Sequence, residues 1–183
     1  MDRRQEKTRR AIFTAFADLL AKKEFSKITV GEIIALADVG RATFYAHFET
    51  KEYLLKALCE ELFCHVLDMA SEVQCNHCHI FVCDTRDSVF LHLLRHLQKN
   101  DNNVLTLLSG QNNALFLEYF KDNLRNLVKT QLPLFEGRRS EKIPESFWVD
   151  HIAASFVETV RWWVDNGMTQ DPETIAEYFY LAV

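Results

Sequence analysis

"ADVGRATFYAHFETKEYLL", residues 37–55, holds four aromatic rings, a histidine and two basic groups within nineteen positions. Wound at about 100° per residue, residues 41–48 bring Phe44 and Phe48 to within roughly 40° of one another, so both face one core. Ala42, Thr43 and Ala46 fall opposite. Small side chains on an outer face do little for solubility, but they let a helix backbone approach a wall closely, as docking in a DNA major groove requires. Tyr45 and His47 stand on the two flanks, where a phenol and an imidazole can each donate to a phosphate oxygen. Lys51, in the first turn of the next helix, adds an ammonium near backbone N–H groups that suit anions. Taken singly, Tyr45 and His47 also read as amphipathic residues at the rim of a helical core. Their joint placement about one small-residue face favours docking.

Upstream, Thr29-Val30-Gly31-Glu32 has the form of a capping box and opens a short helix ending near Ala37. Gly31 is unusual there, since glycine inside a helix costs about 1 kcal/mol against alanine. Asp38-Val39-Gly40 forms a turn, with Gly40 as cap of the third helix. Ile12, Phe16, Leu19 and Leu20 recur at helical spacing in a first helix over about 4–23. Thr50 caps a fourth that runs from Lys51 to about Ala70, with Leu54, Leu55, Leu58, Leu62 and Val66 on its apolar side. Two short helices joined by a turn and braced by longer ones make a helix-turn-helix.

Further along, the spacing predicts a cysteine- and histidine-bearing loop or helix end at 74–84, then helices near 86–99, 102–109 and 112–132. "PLFEGRRSEKIP", 133–144, is a proline-bounded loop. Pro144 opens a helix through about Asn166, and Asp171-Pro172 caps a last one to the C-terminus. The expected architecture is all-α with about nine helices: a helix-turn-helix head over residues 1–50 and a helical body over 51–183.

Composition agrees. The 183 residues are 48% hydrophobic and 26% charged, which is enough apolar matter for a sizeable core, and the three prolines and five glycines leave little room for turn-rich β structure. No apolar run approaches the ~20 residues that cross a bilayer, and the start "MDRRQEKTRR" lacks the apolar centre of a secretion signal, so a cytoplasmic location without membrane contact is expected. All five cysteines fall between Cys59 and Cys83, a bunching unlike a secreted disulfide framework. The net charge of −5 is uneven: residues 1–55 carry 10 Lys+Arg against 8 Asp+Glu, and 56–183 carry 11 against 18. A mildly basic head on an acidic body permits an anionic partner at one end.

The segment "FSKITVGEIIALADVGRATFYAHFETKEYLL", 25–55, resembles the N-terminal DNA-binding domain of the TetR family of bacterial transcription regulators. The resemblance implies a homodimer whose first three helices bind double-stranded DNA at a palindromic operator. It also implies C-terminal helices that carry dimerisation and often a pocket for a small-molecule effector that relieves repression. Positions matching Thr29, Arg41, Thr43, Tyr45, His47 and Lys51 then contact DNA, mainly at phosphates. Gly40 departs from the small hydroxyl residue common at its place. "RWWVDNGMTQDPETIA", 161–176, resembles a subgroup that includes relatives of dihydroxyacetone kinase regulators.

Three further features carry expectations. "CNHCHIFVC" offers Cys75, His77, Cys78, His79 and Cys83, with His65, His92 and His96 elsewhere. Thiolate and imidazole suit zinc, but the second ligand pair of an ordinary zinc module is absent, so a reduced half-buried loop and a thiol sensor remain readings beside a metal-responsive one. His92 and His96, one helical turn apart, equally fit an exposed stripe. Trp148, Ile152, Phe156 and Trp163 form an apolar stripe that, with Tyr178 and Phe179, suits either a dimer interface or a protomer core; the resemblance favours the interface. Phe81, Phe90, Leu94, Leu97, Leu105, Leu108, Phe116, Tyr119, Phe120 and Leu124 suit a pocket lining or a solid core. Glycine-rich phosphate loops, HExxH and GxSxG are absent, which argues against an enzyme; a TetR-like protein that binds a protein partner instead of DNA is the other rival.

Overall fold

The computed structural model describes residues 3–70, 88–99, 108 and 114–183, and among them lie eight α-helices and no strand. They are α1 (Arg3–Leu20), α2 (Val30–Ala37), α3 (Arg41–His47), α4 (Lys51–Ala70), α5 (Val89–Gln98), α6 (Ala114–Thr130), α7 (Glu145–Asp165) and α8 (Pro172–Ala182). The helix expected at 102–109 lies outside the described residues but for Leu108. No described helix is long and apolar enough to cross a membrane.

Several boundaries have a local cause. The expected capping box is formed: the Glu32 N–H donates to Thr29 Oγ1 at 3.3 Å, and Glu32 Oε2 accepts from the Thr29 N–H at 2.9 Å. Thr50 Oγ1 accepts from the Tyr53 N–H at 3.0 Å at the head of α4, and Asp171 accepts from the Thr174 N–H at 2.7 Å at the head of α8. After α7 the chain turns through Gly167 at φ 72°, the left-handed conformation that glycine adopts without strain.

The turn between α2 and α3 forms at Asp38-Val39-Gly40, with Gly40 as the N-cap of α3 as expected. Its left-handed residue is Asp38, at φ 52°, ψ 48°, whose N–H bonds the Ile34 carbonyl; Gly40 sits at φ −73°, open to any residue. A left-handed residue with a Cβ costs about 1–2 kcal/mol, less for Asp, which hydrogen-bonds locally. Asp38→Gly should therefore raise stability by about 0.5–1 kcal/mol in urea unfolding. A loss instead would give the carboxylate a role of its own.

In the head, α1 packs on α2 and α2 on α3. The body closes around α4, which packs on α5 and α6; α6 lies against α7, and α8 against both α5 and α7. The buried residues of head and body, from Ile12 and Phe16 through Leu58 to Phe156 and Phe179, form one continuous core. A movement of α4 therefore reaches both halves through packed side chains.

Candidate nucleic-acid interface

Phe44 and Phe48 anchor α3 from beneath and are fully buried, their ring centroids 6.0 Å apart. Phe48 also meets Phe13 of α1 edge-on at 5.3 Å. With both rings turned inward, helix geometry leaves Arg41, Ala42, Thr43, Tyr45 and Ala46 exposed. This is the small-residue face that the spacing predicts. Tyr45 is 46% exposed, its ring edge-on to Phe44 at 5.4 Å, so a buried neighbour steadies the body of the phenol while its tip points outward.

His47 is half-buried on the other flank. Burial, with a smaller contribution from the Arg9 charge, holds its pKa below the ordinary 6.5. At neutral pH it is an uncharged imidazole, able to donate one N–H but not to supply a cation.

Two other expected contacts have structural partners. The Thr29 hydroxyl is exposed yet engaged in its capping box, donating to Glu32 Oε2 at 2.9 Å. Lys51 turns inward: its ammonium donates to the carbonyls of Phe25, Ser26 and Ile28 at 3.1, 3.3 and 2.9 Å and lies 4.6 Å from the centre of the Phe25 ring. It has three N–H groups, and these three carbonyls satisfy them. Lys51 thus clasps the turn before α2 to the start of α4.

Sequence reasoning missed Arg9. Its guanidinium bonds Glu61 of α4 at 3.1 Å and lies over the rings of Phe13 and Phe48 at 5.0 and 5.1 Å. Glu61 is buried and Arg9 partly exposed, so the pair fastens the head to α4 at the edge of the core. A separation of 52 residues leaves no local signal for it. Exposed Arg3, Arg4, Lys7 and Arg10 on α1 supply further positive charge to the head.

The head is also braced by Lys23, paired with Glu32. That contact, followed by the hydrogen bonds from Thr29, lowers the Glu32 pKa from 4.5 to about 2. Because the folded value lies below the unfolded one, the contribution to stability is complete above about pH 4.5 and disappears as pH falls toward 2. The stability gap between wild type and Glu32→Gln should accordingly be constant from pH 5 to 7 and close between pH 4.5 and 2. A gap independent of pH would contradict the pairing.

In the body, five of the six residues expected at a dimer interface, Trp148, Ile152, Phe156, Trp163 and Phe179, are buried within the protomer, where α7 meets α6 and α8; only Tyr178 is exposed. The large apolar side chains that α7 and α8 present outward are Phe147, Trp162, Tyr178 and Leu181, with Trp162 and Tyr178 edge-on at 6.2 Å. Of the pocket candidates, Phe90, Leu94, Leu97, Leu108, Phe116, Phe120 and Leu124 are core and Tyr119 is half-buried, while Phe81 and Leu105 lie outside the described residues. Cys75, His77, Cys78, His79 and Cys83 also lie outside them. Burial pushes the Cys59 thiol up, which keeps it protonated and unreactive. His92 and His96 are buried, not an exposed stripe.

Residues 12–58 match the model of bacterial regulatory proteins of the tetR family, and residues 84–183 match that of a transcriptional regulator C-terminal region. A TetR transcriptional regulator from Streptococcus agalactiae 2603V is 36% identical, its structure aligning over 100% of this chain and 96% of its own with a TM-score of 0.75. The dihydroxyacetone kinase operon activator DhaS is 22% identical over 96% of this chain and 94% of its own, TM-score 0.61, which shows the fold alone. YxbF of Bacillus subtilis (strain 168), an uncharacterized HTH-type transcriptional regulator, is 22% identical over an alignment that covers 98% of this chain but 45% of YxbF, so the chain spans under half of that relative's length. With its head built as a helix-turn-helix, its body all-helical and both parts matched, the chain belongs to the TetR family of bacterial transcriptional regulators.

Proposed function

We propose that this regulator binds double-stranded DNA by laying α3 in the major groove. The observation that carries the reading is the exposed Ala42, Thr43 and Ala46 face held outward by two fully buried phenylalanines. Arg41 and Thr43 would reach base edges, and Tyr45 and His47 would donate to phosphates on either side. Thr29 and Lys51 would act one step back, holding the ends of the two short helices in register. The head, 1–50, would be the DNA-binding unit and the body, 51–183, the regulatory and dimerisation unit.

One seven-residue helix spans only a few base pairs, so a two-fold homodimer reading inverted half-sites about one helical turn or more apart is the geometry that gives adequate specificity. The exposed Phe147, Trp162, Tyr178 and Leu181 supply an apolar surface for that dimer. An effector bound in the body would change DNA affinity by its preference for one spacing of the two heads, transmitted through α4.

The test is equilibrium binding to an enriched duplex and to an unrelated one. Tyr45→Phe should weaken both by about tenfold, the loss of one hydrogen bond to a charged acceptor, about 1.5 kcal/mol. It should leave the salt slope unchanged, because a phenol displaces no counterion. Thr43→Val should change the ratio between the duplexes instead. Equal and unaltered affinities in both variants would refute the docking.

A further inference from the structure

Three histidines in the body have no part in the DNA site. His65 in the last turns of α4 and His92 and His96 one turn apart on α5 are 5%, 1% and 2% exposed. One ring nitrogen from each lies within 4.8 Å of those of the other two, and the Nε2 atoms of His92 and His96 are 2.9 Å apart, in hydrogen-bond contact. The His65 ring stands nearly perpendicular to the other two, at 79° and 82°, with centroids 5.1 and 4.8 Å away.

Leu62 and Val66 near His65 on α4, and Leu93 and Leu97 next to His92 and His96 on α5, are likewise buried. The Nε2 atoms of His92 and His96 are in hydrogen-bond contact, and a metal ion can take one nitrogen of each of the three rings in exchange for such contacts. Histidines at i and i+4 present both rings on one helix face, the spacing that chelates an ion, and a third from a facing helix completes a three-nitrogen set. Ligands at 2.0–2.1 Å around a tetrahedral ion stand about 3.3 Å apart, so modest side-chain rotation brings these atoms from their present separations to a common centre.

We propose that His65, His92 and His96 bind a divalent transition-metal ion of the zinc class. Neutral imidazole is a borderline ligand that suits Zn2+, Co2+ and Ni2+ and does not suit Mg2+ or Ca2+. The ion joins α4 to α5 and acts as the regulator's effector, a role that rests on the DNA-binding reading; the metal site itself does not. His65 lies one turn beyond Glu61, whose carboxylate holds Arg9 of the head at 3.1 Å. Arg95, between the two α5 histidines, pairs with Glu173 of α8. Drawing α4 and α5 onto one ion therefore acts on the helix that fastens the head.

The test uses the full chain without a histidine tag, titrated with Co2+ as a spectroscopic probe and then with Zn2+ as competitor. A variant with Cys75, Cys78 and Cys83 changed to Ser and His77 and His79 changed to Gln removes the ligands of the chain's other ligand-rich run. In that variant one equivalent of Co2+ should give visible d–d bands with no thiolate-to-cobalt charge-transfer band, and Zn2+ should displace it. His92→Gln and His65→Gln should each weaken binding at least about tenfold, with circular dichroism confirming the fold and His151→Gln, an exposed histidine of α7, serving as control. Absence of Co2+ binding in the variant lacking the 75–83 ligands, or binding indifferent to both the His92 and His65 changes, would overturn the site. Zn2+ should also change duplex affinity by about fivefold or more in wild type and not in His92→Gln. Metal binding without that change would overturn the effector role, and metal binding in a protein that fails to bind any duplex would overturn the DNA reading while leaving the metal site standing.

Discussion

Ala42→Glu should leave the protein folded and weaken DNA binding at least about 100-fold. Ala42 is the second residue of α3 and exposed. A carboxylate in the first turn of a helix interacts favourably with the backbone dipole, so urea stability should be unchanged or slightly higher. On DNA the same group meets phosphates at close range, where like charge costs several kcal/mol, and its length holds the helix off the groove floor. A hundredfold loss corresponds to about 2.7 kcal/mol. Stability and affinity thus move independently, which no core substitution achieves. Retained affinity would place DNA, if bound at all, on another surface.

Phe48→Ala should do the reverse and act through folding. The ring is fully buried against Phe13 and Phe44 and carries the Arg9 guanidinium over its face. Removing a buried phenylalanine costs about 3–5 kcal/mol, a large part of the 5–15 kcal/mol that holds a typical domain folded. It also deprives Arg9 of one of the two rings beneath it and so loosens the Glu61 pair. DNA affinity should fall with the folded fraction and recover when stabilising osmolyte is added, whereas Ala42→Glu should not recover. A stability loss below about 1 kcal/mol would mean that the head does not depend on this anchor.

The contrast between these two positions shows what the sequence makes legible. Within α3 a period of 3.6 separates Phe44 and Phe48 from Ala42, Thr43 and Ala46 with no help from the rest of the chain, and the structure keeps that separation. Caps are equally local, and Thr29, Thr50 and Asp171 all engage as their neighbours predict. Partnerships across the fold are another matter. Lys51 has the composition of a phosphate contact but meets three carbonyls from more than twenty residues upstream. Adjacent tryptophans make the same point: Trp163 is fully buried, donating its indole N–H to the Gln170 carbonyl at 3.0 Å, while Trp162 is 46% exposed. A protomer core and a dimer interface both require an apolar stripe, so periodicity cannot divide α7 between them. Histidine is poorly sorted by pattern for a related reason. Its amphipathic ring fits an exposed face as well as a polar cluster inside, and only the packing of α4 on α5 places His65 beside His92 and His96.

Selection of bound sequences from a pool of random duplexes by the full chain decides whether α3 reads DNA. Two inverted half-sites, each a few base pairs long and separated by about one helical turn or somewhat more, should be enriched, and Thr43→Val should alter the enriched bases inside them. A pool that stays random after selection at moderate salt, or one enriched for a motif that Thr43→Val and Ala42→Glu leave untouched, would contradict that role.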